Sequence, residues 1–210
     1  MTDDTNEANM AFQHLVAHAR AHRDRISEAQ RRALAEGQQP LALFITCSDS
    51  RIVPARITGA EPGQLFELRT AGYIVPPYTS IRPVAETATI EYAVEVLGVP
   101  DIVVCGHSHC GAVGALCSRD GLDELPALRN WLAEATPVPA PREGDPARKA
   151  EAQQHVLNQL RTLADYPFVR KRLERGELRL HGWLYEIDTG EVLFCPDVDP
   201  TGSDLSFQRL

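Results

Sequence analysis

Two short apolar runs that each end in reactive side chains constrain this chain more than any other feature. Leu41-Ala42-Leu43-Phe44-Ile45-Thr46 leads into Cys47-Ser48-Asp49-Ser50-Arg51, and Ile102-Val103-Val104-Cys105-Gly106 leads into His107-Ser108-His109-Cys110-Gly111. Runs this short and this rich in branched residues suit strands buried on both faces. Between them, residues 84–97 carry Ala85, Ala88, Tyr92, Ala93, Val96 and Leu97 at helical spacing and stop at Gly98-Val99-Pro100. A strand–helix–strand order implies a parallel sheet with right-handed crossovers. Ligands of such sheets bind beyond the carboxyl ends of the strands, so a Cys and a His-x-x-Cys would meet in one crevice.

The rest of the chain fits an α/β fold: one domain with a mostly parallel central sheet flanked by helices, an N-terminal helical arm and a C-terminal β-hairpin. Residues 1–36 form the arm, rich in Ala, Arg, Gln, Glu and Leu over 7–36, which are good helix formers. Its apolar stripe, Phe12, Leu15 and Val16, is thin, so the arm needs an outside surface to cover it. Residues 37–210 form the domain proper. Gln64 to Arg69 reads as a strand, 73–83 and 136–146 as proline-rich loops, and 112–118, 123–134 and 168–175 as helices. Val156, Leu157, Leu160, Leu163 and Ala164 mark an amphipathic helix, and 178–187 with 191–195 form the hairpin around Asp188-Thr189-Gly190.

With 210 residues and 43% hydrophobic content the chain can bury one sizeable core, and a formal charge of −8 gives no support for a nucleic-acid surface. No apolar run approaches the roughly 20 residues of a membrane span. The acidic start, Met1-Thr2-Asp3-Asp4, is unlike a secretory signal, so a cytoplasmic location is expected. Five cysteines in a chain of this size are read as thiols, some of them metal-bound.

Cys47, His107 and Cys110 offer two thiolates and an imidazole, a zinc ligand set that leaves the fourth tetrahedral position open, as catalysis requires. Zinc lowers the pKa of its water to about 7 when three neutral imidazoles hold it. Two thiolates cancel the charge of the ion, so an activity that depends on hydroxide should rise toward alkaline pH. Asp49 could orient that hydroxide, with Arg51 holding the carboxylate by a bidentate pair. Read blandly, His-x-x-Cys is a chance pairing near a strand end, and Asp49 with Arg51 a surface salt bridge or helix cap.

The motifs Cys47-Ser48-Asp49-Ser50-Arg51 and Gly106-His107-Ser108-His109-Cys110-Gly111, with Ile90-Glu91-Tyr92-Ala93-Val94 between them and His181-Gly182-Trp183-Leu184-Tyr185 later, resemble the β-class carbonic anhydrases. The resemblance extends over about residues 38–197. It implies reversible hydration of carbon dioxide to bicarbonate and a proton, one zinc per chain on Cys47, His107 and Cys110, and an Asp49–Arg51 catalytic dyad. It also implies a homodimer or higher oligomer in which the arm packs on a neighbour. By position, Gln38 matches a glutamine that bonds substrate across the dimer interface. Phe66 and Tyr92 match residues of the substrate pocket, and Gly111 a backbone N–H donor to substrate.

The chain departs from the family where Arg69-Thr70-Ala71-Gly72-Tyr73 replaces both usual asparagines, and Tyr73 is large enough to alter the loop beside the pocket. Two rival readings follow from the same residues: a hydrolase of carbon disulfide or carbonyl sulfide, and a non-catalytic zinc protein whose site Tyr73 blocks. Members whose aspartate closes the zinc tend to carry a tryptophan three positions before the first cysteine; Phe44 stands there, which favours an open site. Other residues are read as structural. His109 should point away from the metal, His14, His18 and His22 should lie on a solvated helix face, and Cys105, Cys117, Cys195, His155 and His181 should pack.

Overall fold

The computed structural model describes residues 2–79, 81, 84–118, 121–138, 147–196 and 206–210, so the predicted loops at 73–83 and 136–146 lie partly outside the described residues. The chain divides into two compact units, Met1–Gln38 and Gln39–Leu210. In the first, the expected single long helix is three: α1 (Thr2–Arg20), α2 (His22–Arg25) and α3 (Glu28–Ala35). The final break has a local cause. Ser27 accepts from the N–H of Gln30 while the Gln30 side chain accepts from the N–H of Ser27, a reciprocal capping box that starts a new helix. The three histidines are divided accordingly, His14 and His18 on α1 and His22 on α2. Phe12 and Leu15 are 61% and 66% exposed, as a thin stripe without a partner would be.

The second unit is built on strands β1 (Ala42–Cys47), β2 (Leu65–Thr70), β3 (Asp101–His107), β4 (Arg179–Tyr185), β5 (Val192–Cys195) and β6 (Gln208–Arg209), in the order β2-β1-β3-β4-β5-β6. β2, β1, β3 and β4 are parallel, and β4, β5 and β6 antiparallel. The expected hairpin is therefore β4–β5. β6 carries no apolar alternation of its own and was not expected. β1 sits between β2 and β3 and is buried along its whole length, which is why it reads as an unbroken apolar run. Its side chains alternate: Leu43, Ile45 and Cys47 join the main core, whereas Ala42 and Phe44 pack on the opposite face with Val103 and Cys105. Each fully buried Leu, Ile or Phe stabilises the fold by about 1.5–3 kcal/mol.

The helices of this unit are α4 (Pro54–Thr58), α5 (Ala85–Glu91), α6 (Gly111–Ser118), α7 (Pro126–Leu132), α8 (Lys149–Ala164) and α9 (Pro167–Glu174). The helix expected over 84–97 changes character partway, since Tyr92–Val96 is a π-helical turn. α7 begins later than the expected position 123 because Pro126, with its preset φ, occupies the first turn. α8 lies against β3 and β4 and buries Val156, Leu157, Leu160 and Leu163 there. Among the described residues no helix is long and apolar enough to cross a membrane.

Candidate metal centre

β1 and β3 are parallel neighbours, with Thr46 opposite Cys105, so Cys47 and His107 emerge at the same end of the sheet. Cys110 follows one short turn later, immediately before α6. The sulfurs of Cys47 and Cys110 are 4.0 Å apart, and one donor atom from each of Cys47, His107 and Cys110 lies within 4.8 Å of the others. All three residues are buried. Among the described residues this is the group of His, Cys, Asp and Glu side chains able to hold a metal ion.

Local bonding prepares the imidazole. His107 Nδ1 lies 2.8 Å from the Ser108 carbonyl, which only accepts, so Nδ1 carries the proton and Nε2 presents its lone pair. That buried Nε2 has no hydrogen-bond partner among the described residues. A buried polar atom left without a partner is costly and calls for an explanation, and a bound cation supplies one. The thiols are prepared too. The Cys47 pKa is lowered by its hydrogen bond to Cys110 against the effect of burial, with further donation from His107 and from the backbone N–H groups of Gly72 and Asp49. Cys110 is pushed up by the same contact with Cys47 and by burial. A single negative charge is thus shared between the sulfurs in the absence of a cation.

Asp49 and Arg51 form the expected pair. Arg51 donates from its backbone N–H and Nε to Asp49 Oδ1, at 2.9 and 3.0 Å, and from Nη2 to Oδ2 at 2.7 Å. This guanidinium holds the Asp49 carboxyl well below the usual carboxylate range. Oδ2 also faces His107 Nε2 at 4.0 Å, which puts the carboxylate at the edge of the donor cluster. A solvent-facing salt bridge with no relation to the thiols would not have this geometry. Arg51 Nη2 further reaches the His109 carbonyl at 3.2 Å, tying the two strand ends together. The His109 ring points away from the cluster, as expected, with Nε2 2.9 Å from the Asp188 carboxylate.

The other candidate residues are spread around this centre. Phe66 and Tyr92 pack ring against ring with centroids 5.9 Å apart. Gly111 opens α6 with free space beside its Cα. Gln38 belongs to the N-terminal unit. Tyr73 corrects an expectation: its side chain is wholly buried and turned into the core, with its hydroxyl donating to the Ala152 carbonyl at 3.3 Å, so it does not stand in the pocket. The non-catalytic reading, which required Tyr73 to block the site, loses its basis. Cys105 and Cys195 are buried as expected, and Cys117 is partly exposed. His181 bonds Asp101 at 2.7 Å.

Arg69 is a residue that sequence reasoning passed over. Its guanidinium donates to the carbonyls of Cys47 at 3.0 Å, Asp49 at 2.9 Å and Ile52 at 2.8 Å, so one cation organises the whole loop after β1. A charged residue at the end of β2, directly opposite Thr46, was the available signal. Hydrogen bonds from a charged group contribute about 1.5–3 kcal/mol. Arg69→Met is therefore expected to lower stability by about 2–3 kcal/mol in urea denaturation and to weaken metal binding with it. Unchanged stability would mean that water replaces the guanidinium at no loss.

Residues 42–192 match a family model described as carbonic anhydrase. The carbonic anhydrase of Pseudomonas aeruginosa is 49% identical over 167 residues, which cover 77% of this chain and 76% of that one. Among solved structures, the β-carbonic anhydrase CcaA is similar with a TM-score of 0.82 at 35% identity, covering 95% of this chain and 92% of that one. A structure of the tetrameric β-carbonic anhydrases of Sordaria macrospora has a TM-score of 0.69 at 28% identity, covering 92% and 98%. Likeness at this level, running through both strand ends that form the centre, means that the chain belongs to the β-carbonic anhydrase family of enzymes.

Proposed function

We propose that this enzyme hydrates carbon dioxide reversibly to bicarbonate and a proton, with one zinc ion per chain held by Cys47, His107 and Cys110. The observation that carries the reading is the partnerless, buried Nε2 of His107 beside two sulfurs. Two thiolates on one tetrahedral zinc at about 2.3 Å stand about 3.8 Å apart, close to the 4.0 Å separation of Cys47 and Cys110. When bound, zinc supplies the Lewis acidity that makes water a nucleophile near neutral pH.

The chain's own groups supply orientation. Asp49 stays ionised because Arg51 saturates Oδ1, leaving Oδ2 a lone pair directed toward the donor cluster. Oδ2 accepts a hydrogen bond from the attacking water without taking its proton, and so aims the water oxygen at the carbon. Phe66 and Tyr92 form an apolar wall suited to carbon dioxide, and the Gly111 N–H and Gln38 donate to nascent bicarbonate. We infer a homodimer or higher oligomer, supported by the uncovered Phe12 and Leu15 and by the tetrameric Sordaria enzymes. A cytoplasmic setting accords with a ligand set whose two thiolates must stay reduced.

The test is stopped-flow hydration of carbon dioxide by zinc-quantified protein from about pH 7 to about pH 9. The expected result is one zinc per chain and a rate that rises with pH, as two thiolate ligands require. Full zinc occupancy without hydration at any pH would overturn the reading, and turnover of carbon disulfide would then identify a hydrolase on the same fold.

A further inference from the structure

The turn after β2 touches the centre from behind. Residues Ala71–Tyr73 form a tight 3₁₀ turn in which Gly72 and Tyr73 both take left-handed conformations, φ 76 and φ 45. Left-handed backbone costs a non-glycine residue about 1–2 kcal/mol, so something must hold Tyr73 there. At Gly72 only glycine fits, since a Cβ would come within 3.0 Å of Ala112 Cβ. The N–H of Gly72 is one of the donors to the Cys47 sulfur.

What holds this turn is a directed chain of hydrogen bonds from α8. The Val75 N–H donates to Gln159 Oε1 at 2.8 Å, so the other end of that amide is its NH₂ group, which donates to His155 Nδ1 at 3.3 Å. With Nδ1 accepting, the proton sits on Nε2, and Nε2–H donates to the Gly72 carbonyl at 2.9 Å. Every direction in the relay follows from the one group in it that can only donate, the backbone N–H of Val75. The Tyr73 ring closes the assembly, edge-on to His155 with centroids 4.8 Å apart and 6.5 Å from His107. His155, Gln159 and Gly72 are all buried, so water cannot replace these bonds.

We propose that His155 is a positioning residue of the metal centre: by fixing the Gly72 carbonyl it holds the Gly72 N–H on the Cys47 sulfur and so tunes that ligand. The proposal rests on the reading of Cys47 as a metal ligand. An N–H···S bond withdraws electron density from a thiolate, and residues that orient a ligand in this way typically contribute about 10–100-fold to metal affinity. His155 touches neither metal nor substrate; its effect passes through the peptide.

The test uses full-length protein loaded with cobalt(II), whose sulfur-to-metal charge-transfer band reports on the thiolates, and zinc affinity by competition with a chromophoric chelator. His155→Leu removes the donor and keeps most of the volume. A sulfur relieved of its N–H donor gives up an electron more readily, so the band is expected to move to longer wavelength, with zinc affinity lower by about tenfold or more. His155→Gln, whose amide nitrogen reaches about as far as Nε2, should restore both. If His155→Leu does not fold, His155→Asn supplies the comparison, because its shorter amide stops short of the Gly72 carbonyl. A wild-type band and affinity in the leucine or asparagine variant would overturn the proposal, even if stability fell. Absence of any sulfur-to-cobalt band in the wild-type protein would instead overturn the metal-centre reading itself.

Discussion

Asp49→Asn is expected to lower the carbon dioxide hydration rate by at least about a hundredfold, the scale on which positioned proton acceptors contribute, while zinc stays at one per chain. The asparagine keeps the size of the side chain. It lacks the charge that Arg51 holds on Oδ1 and Oδ2 through three donors, and its amide can rotate to present N–H where Oδ2 now accepts. A donor facing the attacking water misdirects it. Because Arg51 keeps the Asp49 carboxyl ionised throughout the neutral range, the loss should be the same near pH 7 and near pH 9. A loss confined to one end of that range would mean that Asp49 acts by exchanging a proton. Stopped-flow rates together with zinc analysis separate the two, and full activity in the variant would reduce Asp49 to a tether for Arg51.

The largest expected effect on stability comes from Gly106, the residue before His107 on β3. A Cβ there would lie 2.7 Å from Val156 Cγ2 and 2.9 Å from the Tyr73 hydroxyl. Neither neighbour has room to retreat: Val156 is buried in the interface between α8 and the sheet, and Tyr73 is locked in a left-handed turn. Overpacking of this kind destabilises by about 1–3 kcal/mol. Gly106→Ala should reach the upper end, roughly 10 °C of melting temperature in a domain this size. Gly182→Ala is the control. Its Cβ would meet the ends of flexible side chains, Leu160 Cδ1 at 3.0 Å and Val156 Cγ1 at 3.2 Å, and should be tolerated better. Calorimetry on both decides, and equal losses would show that the Tyr73 contact has no special rigidity.

How much of this could be read from the sequence follows from which interactions are local. The ends of β1 and β3 stood out because strands buried on both faces carry unbroken apolar runs, and the residues just past them break the pattern abruptly. The Asp49–Arg51 pair was legible because both members lie in one loop. The relay from Val75 through Gln159 and His155 to Gly72 was not, because it joins α8 to a turn far away in sequence, and a histidine on the apolar face of a helix looks like any other packing residue. Tyr73 was misjudged for the same reason. Its neighbours in sequence suggested a loop beside the pocket, whereas the cavity that receives it is made by Gly106 and α8. The arm was expected as one helix because composition reports propensity over a window, while the Ser27–Gln30 box that starts α3 acts at a single position.

The adjacency of β1 and β3 has a consequence for how the polypeptide matures. Cys47 and Cys110 are 63 positions apart along the chain, and nothing brings their sulfurs together except the pairing of those two strands around the intervening crossover. An emerging or unfolded chain therefore presents only isolated thiols to the cell's metal pool, each a weak and unselective binder. The three-donor site comes into being when long-range strand pairing is complete, so cation uptake is a late event that marks the finished sheet. From then on the captured ion works as a rivet between segments that loop closure alone would join only at high entropic expense.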